Sequence, residues 1–257
     1  MSAEQEFLVQ NNISDAKSGV GIFDLPCGYL DTDGTLHTEI EIREMTGEEE
    51  DLLASSKIKS SKRMNGLMSG CINRLGTITD KGKIATIVPN LLIGDRVFIL
   101  FAIRRVSFGD MYNVKETCEH CNKIGSYDVN LDALSVVKMN EPTKRRFSEV
   151  LKSGLTVKYH LPTGADEQAI SDLLSDGEEL SAYILMRLDE IDGKRVSLKQ
   201  VKQMRSKDRN ELRTLFAKHE GGVDTSMEFE CSSCSNVFKK DLKIDAGFFF
   251  PSLIQKQ

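Results

Sequence analysis

Tryptophan is absent from this 257-residue chain, and histidine appears only as His37, His120, His160 and His219. No two of these histidines stand at the His-x-x-x-His spacing that brings two imidazoles to one metal, and none has a carboxylate orienter nearby in sequence. His37 and His160 lie in strand-like runs, where a structural role is expected. The chain also lacks a Walker loop, a Gly-x-Gly-x-x-Gly turn and a Gly-x-Ser-x-Gly elbow, and the glycines of GVGIF at 19–23 have no phosphate-loop pattern. No enzyme class is indicated, and no small-molecule substrate. No apolar run approaches the roughly 18–20 residues of a membrane span. The polar, acidic start MSAEQEFLVQNN lacks the basic-then-apolar order of a signal peptide, so a soluble, unexported protein is expected. Positive charge is the minority: 34 Lys and Arg stand against 39 Asp and Glu, a formal net charge of −5. That field repels phosphate and argues against a dedicated nucleic-acid binder. The 40% hydrophobic content suffices for a packed core in one or two domains.

What is present is cysteine in an unusual setting. The stretches ETCEHCNKIG at 116–125 and FECSSCSNVF at 229–238 each carry Cys-x-x-Cys in polar surroundings. An unliganded thiol prefers a core. Cys118, Cys121, Cys231 and Cys234 therefore read as two ligand pairs for one tetrahedral metal. Each pair supplies only two thiolates, so the ion must join segments about 110 residues apart. Structural zinc is the expected occupant. A rubredoxin-like iron centre uses the same four sulfurs, and a thiol redox pair or disulfides form the remaining alternative. Four thiolates leave no open position for a catalytic water. His120, between the first two ligands, is expected to face solvent. Cys27 and Cys71 have no partner at ligand spacing and are expected as small buried hydrophobes.

Along the chain, residues 1–18 read as an N-terminal arm that contacts something else. A β-hairpin follows, with strands over 23–30 and 36–43 around the turn Asp31-Thr32-Asp33-Gly34, which lacks the later ligands of a calcium loop. Thr46 with Glu49 forms a capping box for a helix through 51–56, with Glu48 to Asp51 at its positive end. Met64, Leu67, Met68, Cys71 and Leu75 share one face of a second helix over 62–75. Lys57, Lys59, Lys62 and Arg63 read as a solvated face. Asp95 is expected to cap a third, all-round apolar helix running to about Val106, buried at the centre of the fold. Strands flank the first cysteine pair, and a charged connector over 136–149 with Pro142 marks a boundary.

The two halves repeat. An offset of 113 residues carries Asp95-Arg96 onto Asp208-Arg209, both cysteine pairs onto each other, and DVNLD onto DLKID. Upstream, an offset of 117 carries Thr46-Gly47 onto Thr163-Gly164 and Glu50 onto Glu167. The expectation is an α+β protein of two similar halves from an internal duplication. A first half over 19–135 and a second over 136–257 each carry one zinc knuckle, and together they build a zinc ribbon with four cysteine ligands.

The ordered set LPCGYL, EIREMTGEEEDLL, GDRVFILFAIRRVSFGDMY leading into CEHC, and CSSC followed by DAGFFF resembles the baseplate hub and tail assembly proteins of T-even-type contractile-tailed bacteriophages. The resemblance covers about residues 20–250. It implies a non-enzymatic protein that builds, or helps assemble, the baseplate hub of a phage or prophage, with other tail proteins as partners. It places the protein in the host bacterial cytoplasm during assembly, or in the virion tail. It also implies that the metal, where family members carry one, is held by Cys118, Cys121, Cys231 and Cys234. Phe248, Phe249, Phe250 and Pro251 form an apolar cluster that reads either as a core plug or as an anchor for a neighbour. The rival reading is a zinc-ribbon adaptor for nucleic acid or the transcription machinery, with Lys115, Lys123, Lys239 and Lys240 as its candidate phosphate contacts.

Overall fold

In the computed structural model, residues 19–171 and 177–250 are described; the expected arm over 1–18 and Pro251 lie outside them. The chain opens with strands β1 (Val20–Leu30) and β2 (Leu36–Arg43), then helices α1 (Gly47–Ala54) and α2 (Ser60–Cys71), strand β3 (Ile72–Leu75), and helices α3 (Lys81–Ile87) and α4 (Ile93–Phe108). Strands β4 (Met111–Thr117) and β5 (Ile124–Asn130) carry the first cysteine turn, and β6 (Val136–Val137) follows. The order then recurs: β7 (Arg146–Val150), β8 (Thr156–His160), α5 (Gly164–Ser171), α6 (Glu179–Leu185), β9 (Leu188–Ile191), β10 (Lys194–Arg195), α7 (Leu198–Gln203) and α8 (Ser206–His219). The last elements are β11 (Gly222–Val223), β12 (Ser226–Glu230), β13 (Val237–Asp241) and the short α9 (Ala246–Phe249). The architecture is α+β, with small antiparallel sheets ordered β1-β2-β3, β10-β9-β8-β7, β11-β6, β12-β13 and β4-β5.

The correspondence between early and late elements reaches the level of registers. Strand β2 meets β3 with a register shift between Glu41 and Ile42, and β8 meets β9 with one between Lys158 and Tyr159, 117 residues on. A bulge is a local feature of strand pairing, so its recurrence at the aligned position is more specific than a shared element order. On α4, Arg96 Nη1 donates to the Val88 carbonyl at 2.8 Å; on α8, Arg209 Nη1 donates to the Val201 carbonyl at 3.1 Å. Both carbonyls lie eight residues upstream of their arginines.

Two apolar cores result. The larger is built mainly from β1, β2, α2, β3, α3 and α4, is joined by side chains of β4, β5, β12, β13 and α9, and includes Ile40, Ile42, Leu67, Met68 and Cys71, all fully buried. Helix α4 runs through it, and Phe98 to Ile103 are buried around its whole circumference, as its uniform apolarity predicts. The smaller core gathers Val157, Tyr159, Ile184, Val201, Leu212 and Phe216. The two meet along a seam. There Ile93 donates to the Pro162 carbonyl at 3.0 Å and Gly164 to the Leu91 carbonyl at 3.1 Å. A Cβ on Gly94 would lie 2.0 Å from the Gly221 carbonyl oxygen, so only glycine allows α4 this close to the late strand.

Three expectations change. Asp95 is not the cap of α4: the helix starts at Ile93 with Leu92 as its N-cap, and Asp95 lies fully buried in the first turn. Its Oδ1 accepts the Cys27 amide at 2.8 Å from 68 residues upstream, and burial raises its pKa to about 6. The helix expected over 62–75 ends at Cys71, because Ile72 and Leu75 pair with Ile42 and Ile40 as a third strand and bury there. The 136–149 stretch is more than a connector. Val136 and Val137 pair with Val223 and Gly222, and the Met139 amide donates to the Pro26 carbonyl. The hairpin of β1 and β2, the Thr46 and Glu49 pairing, and burial of Cys27 and Cys71 are all as expected. Phe248 and Phe249 plug the larger core, with the Phe248 ring 5.1 Å edge-on from Phe101 and from Tyr112.

Candidate metal centre

The two cysteine turns close the hairpins of β4–β5 and β12–β13, and they do so in the same way. Cys118 donates its amide to the Lys123 carbonyl at 2.9 Å and accepts from the Asn122 amide at 2.9 Å. In the second turn Cys231 donates to Asn236 at 2.9 Å and accepts from Ser235 at 2.8 Å. Tightening the chain this far requires a left-handed residue, and Asn122 (φ 56°) and Ser235 (φ 54°) take that place. The turns thus aim two sulfurs each at a common point.

All four Sγ atoms lie within 4.8 Å of one another. The pairs across the hairpins are Cys118 with Cys234 at 3.8 Å and Cys121 with Cys231 at 3.6 Å. A sulfur–sulfur bond is about 2.05 Å long, so these are free thiols and not disulfides. A tetrahedron with metal–sulfur bonds of about 2.3 Å has edges of about 3.8 Å, which these separations match. The cage can hold a metal ion. Cys118 and Cys231 are buried, Cys121 is half-buried and Cys234 is exposed, so one corner opens to solvent.

The electrostatics also call for a cation. The amides of Ser233 and, beyond the counteracting desolvation, Cys234 bring the Cys231 thiol down to about 6. Cys234 goes the other way, to about 12: the Asn236 amide lowers it, but desolvation and the neighbouring Cys121, Cys231 and Cys118 outweigh that. The four sulfurs are close enough that an ionised one disfavours ionisation of its neighbours, because neighbouring thiolates repel. A divalent ion removes the conflict and lets all four ionise. Beneath the cage, Tyr127 packs against Phe229 at 4.9 Å and Phe238 at 6.0 Å, joining the two hairpins through aromatic surface.

His120 is exposed, as expected for a residue outside the ligand set. Of the lysines considered as phosphate contacts, Lys239 pairs with Glu228 at 2.9 Å and Lys240 with Glu119 at 2.6 Å. A cavity of about 170 Å³ lies away from the cage, at the seam, lined by apolar groups such as Leu92, Val97 and Met139. Its carboxylate, Glu220, is tied to the Arg187 guanidinium. Among the described residues no helix is long and apolar enough to cross a membrane. Sequence reading missed the carboxylate partners of His160: Asp189 Oδ1 lies 2.8 Å from Nδ1 and Asp166 Oδ2 3.4 Å from Nε2. Only the spacing of Asp166 from Thr163, the same as that of Glu49 from Thr46, signalled one of them.

No curated protein and no solved structure matches the chain. The model of the family described as T4 bacteriophage base plate protein matches residues 27–249, so that the chain, matched over most of its length, belongs to that family.

Proposed function

We propose that this protein is a non-catalytic component of a phage or prophage baseplate hub, built in or acting during assembly, whose two duplicated halves are clamped by one structural zinc ion. The single observation that carries the reading is the sulfur cluster: two turns about 110 residues apart bring four Sγ atoms within 4.8 Å of one another, in a chain of the base plate family. Cys118, Cys121, Cys231 and Cys234 are the ligands, and an ion held by four thiolates keeps no position open for substrate or catalytic water. Zinc, when bound, supplies charge neutralisation and a cross-link. The shared bulge and the matched arginine bonds of α4 and α8 support an origin by duplication.

Other tail and hub proteins are the partners of this reading, with host cytoplasm during assembly and the virion tail as its places of action. A nucleic-acid adaptor role is disfavoured by the pairing of Lys239 and Lys240 with carboxylates and by the net charge of −5. The test is affinity capture from infected or lysogenic cells, combined with metal analysis of the parent and a Cys231→Ser variant. The parent is expected to bring down hub or tail proteins and to carry about one zinc per chain. The variant should lose most of that metal. Recovery of no tail protein under several conditions would overturn the hub assignment, and equal metal in both proteins would overturn the ligand set.

A further inference from the structure

The two halves solve the same local problem with different chemistry, and in the second half the place is the seam between the cores. In the first half, Arg43 at the end of β2 grips Glu49 (2.7 Å), whose carboxylate also accepts the Thr46 amide and hydroxyl at the start of α1. Moving 117 residues on, Arg43 becomes His160, Thr46 becomes Thr163 and Glu49 becomes Asp166. Asp166 Oδ2 accepts the Thr163 amide at 2.9 Å and its hydroxyl at 2.6 Å, and faces His160 Nε2 at 3.4 Å. The other ring nitrogen meets Asp189 of β9 at 2.8 Å. An arginine is charged at every accessible pH, whereas a histidine is not.

From this geometry we infer that His160 is a protonation-dependent clasp on the seam, holding β8, β9 and the start of α5 together when charged and releasing them when neutral. The two carboxylates sit on opposite ring nitrogens, so only a doubly protonated ring donates to both, and no single ion can be shared among the three groups. The segment it steadies is the seam itself. Pro162 accepts from Ile93, Gly164 donates to Leu91, and Thr163 bridges Leu92 at the start of α4. Charged groups facing the ring come from each neighbouring element: Asp166 from α5, Asp189 from β9, and Arg146 of β7, which engages the second oxygen of Asp189 at 3.1 Å. From α4, the Arg96 guanidinium packs against Gly164.

The direction of the effect follows from linkage. The hydrogen bond that His160 donates to Asp166 and the charge of Asp189, working against burial, raise the His160 pKa above that of a free imidazole. A raised histidine contributes stability that is fully present below about 6.5 and is lost as pH rises through the folded-state value. Asp166 is pushed up by burial, but the bonds from His160 and Thr163 outweigh this and bring it to about 2. Its contribution is present above about 3.9 and is lost only in stronger acid. The clasp is therefore closed from about pH 4 to the imidazole titration and opens above it.

Hydrogen exchange read residue by residue between about pH 5.5 and 8 tests this on the full chain, in the parent, His160→Arg and His160→Gln. After correction for intrinsic rates, protection of the Ile93 and Gly164 amides in the parent should fall with rising pH. The fall should be about tenfold for each unit by which the folded imidazole pKa exceeds the free value. His160→Arg should remain protected and flat across the range. His160→Gln should be flat and low, with protection at Ile40 and Leu67 unchanged as proof that the fold survives. A flat parent profile, or a His160→Arg profile that falls like the parent's, would overturn the clasp.

Discussion

Ser235 sits in a left-handed conformation at φ 54°, where an L side chain crowds its own backbone, in the turn that presents Cys231 and Cys234. Its counterpart Asn122, at φ 56°, belongs to the one non-glycine class that enters this region readily. Ser235→Gly should therefore stabilise the protein, by about 0.5–1 kcal/mol, seen as a midpoint a few degrees higher in thermal unfolding. Asn122→Ala should lower it by a similar amount, and a fall in midpoint for Ser235→Gly would refute the assignment of strain to that turn. At this scale legibility depends on how local the chemistry is. The four cysteines are readable because a ligand pair is complete within four residues. Asp95 misleads because its partner is the Cys27 amide, 68 residues upstream, and a buried acid looks like a helix cap in sequence. His160 shows no orienter for the same reason, since Asp189 reaches it from 29 residues away.

Among the helices, α1 has its start fixed by one side chain. Glu49 accepts from the Thr46 amide at 2.9 Å and hydroxyl at 2.8 Å and is held by Arg43, and these bonds overcome the burial that would raise it, bringing it to about 2. Glu49→Ala removes the reciprocal bond at the cap and leaves the Arg43 guanidinium without its carboxylate, at an expected loss of about 1–2 kcal/mol in urea unfolding. Because the folded value is depressed, this stability is present above about 4.3 and fades as pH falls toward about 2. Parent and variant should therefore converge in acid; a gap that stays constant from about pH 7 to 2 would rule out the ionised carboxylate as its source. Capping chemistry and the β1–β2 hairpin are legible because turn and cap residues specify their own backbone. Strand β3 is not. Leu75 continues the helical spacing of Met64, Leu67, Met68 and Cys71, and only the exposed edge of β2, with Ile40 and Ile42 awaiting partners, turns Ile72–Leu75 into a strand. The two-residue strands β6 and β11 carry too few residues for any period to show.

For the whole molecule, the recurrence of motifs is legible as an offset along the sequence, while the seam is not, since it is made of backbone bonds and glycine contacts that leave no pattern. Among the described residues, the ties between early and late parts of the chain include the Met139 amide on the Pro26 carbonyl, the Arg145 guanidinium on the Gly28 carbonyl, the seam, the Phe248 and Phe249 plug against Phe101 and Tyr112, and the cysteine cage over the trio of Tyr127, Phe229 and Phe238. Only the last has a place for an ion, and the loop it closes is long, Cys231 standing 110 positions after Cys121. Closing such a loop is entropically costly, so losing the cross-link should be felt first where the two ribbons meet. Stripping the metal with a strong chelator should expose the amides of β4, β5, β12 and β13 to exchange while those around Ile40, Leu67 and Val157 stay protected. Zinc contributes on the order of 10 kcal/mol to small peptides; losing about a third of that would lower the thermal midpoint by about 10 °C in a chain of this size. Added zinc should restore both readings. An unchanged midpoint and unchanged ribbon protection after metal removal would mean that the aromatic trio and the other ties hold the early and late parts together by themselves, and that the cage serves some purpose other than the clamp.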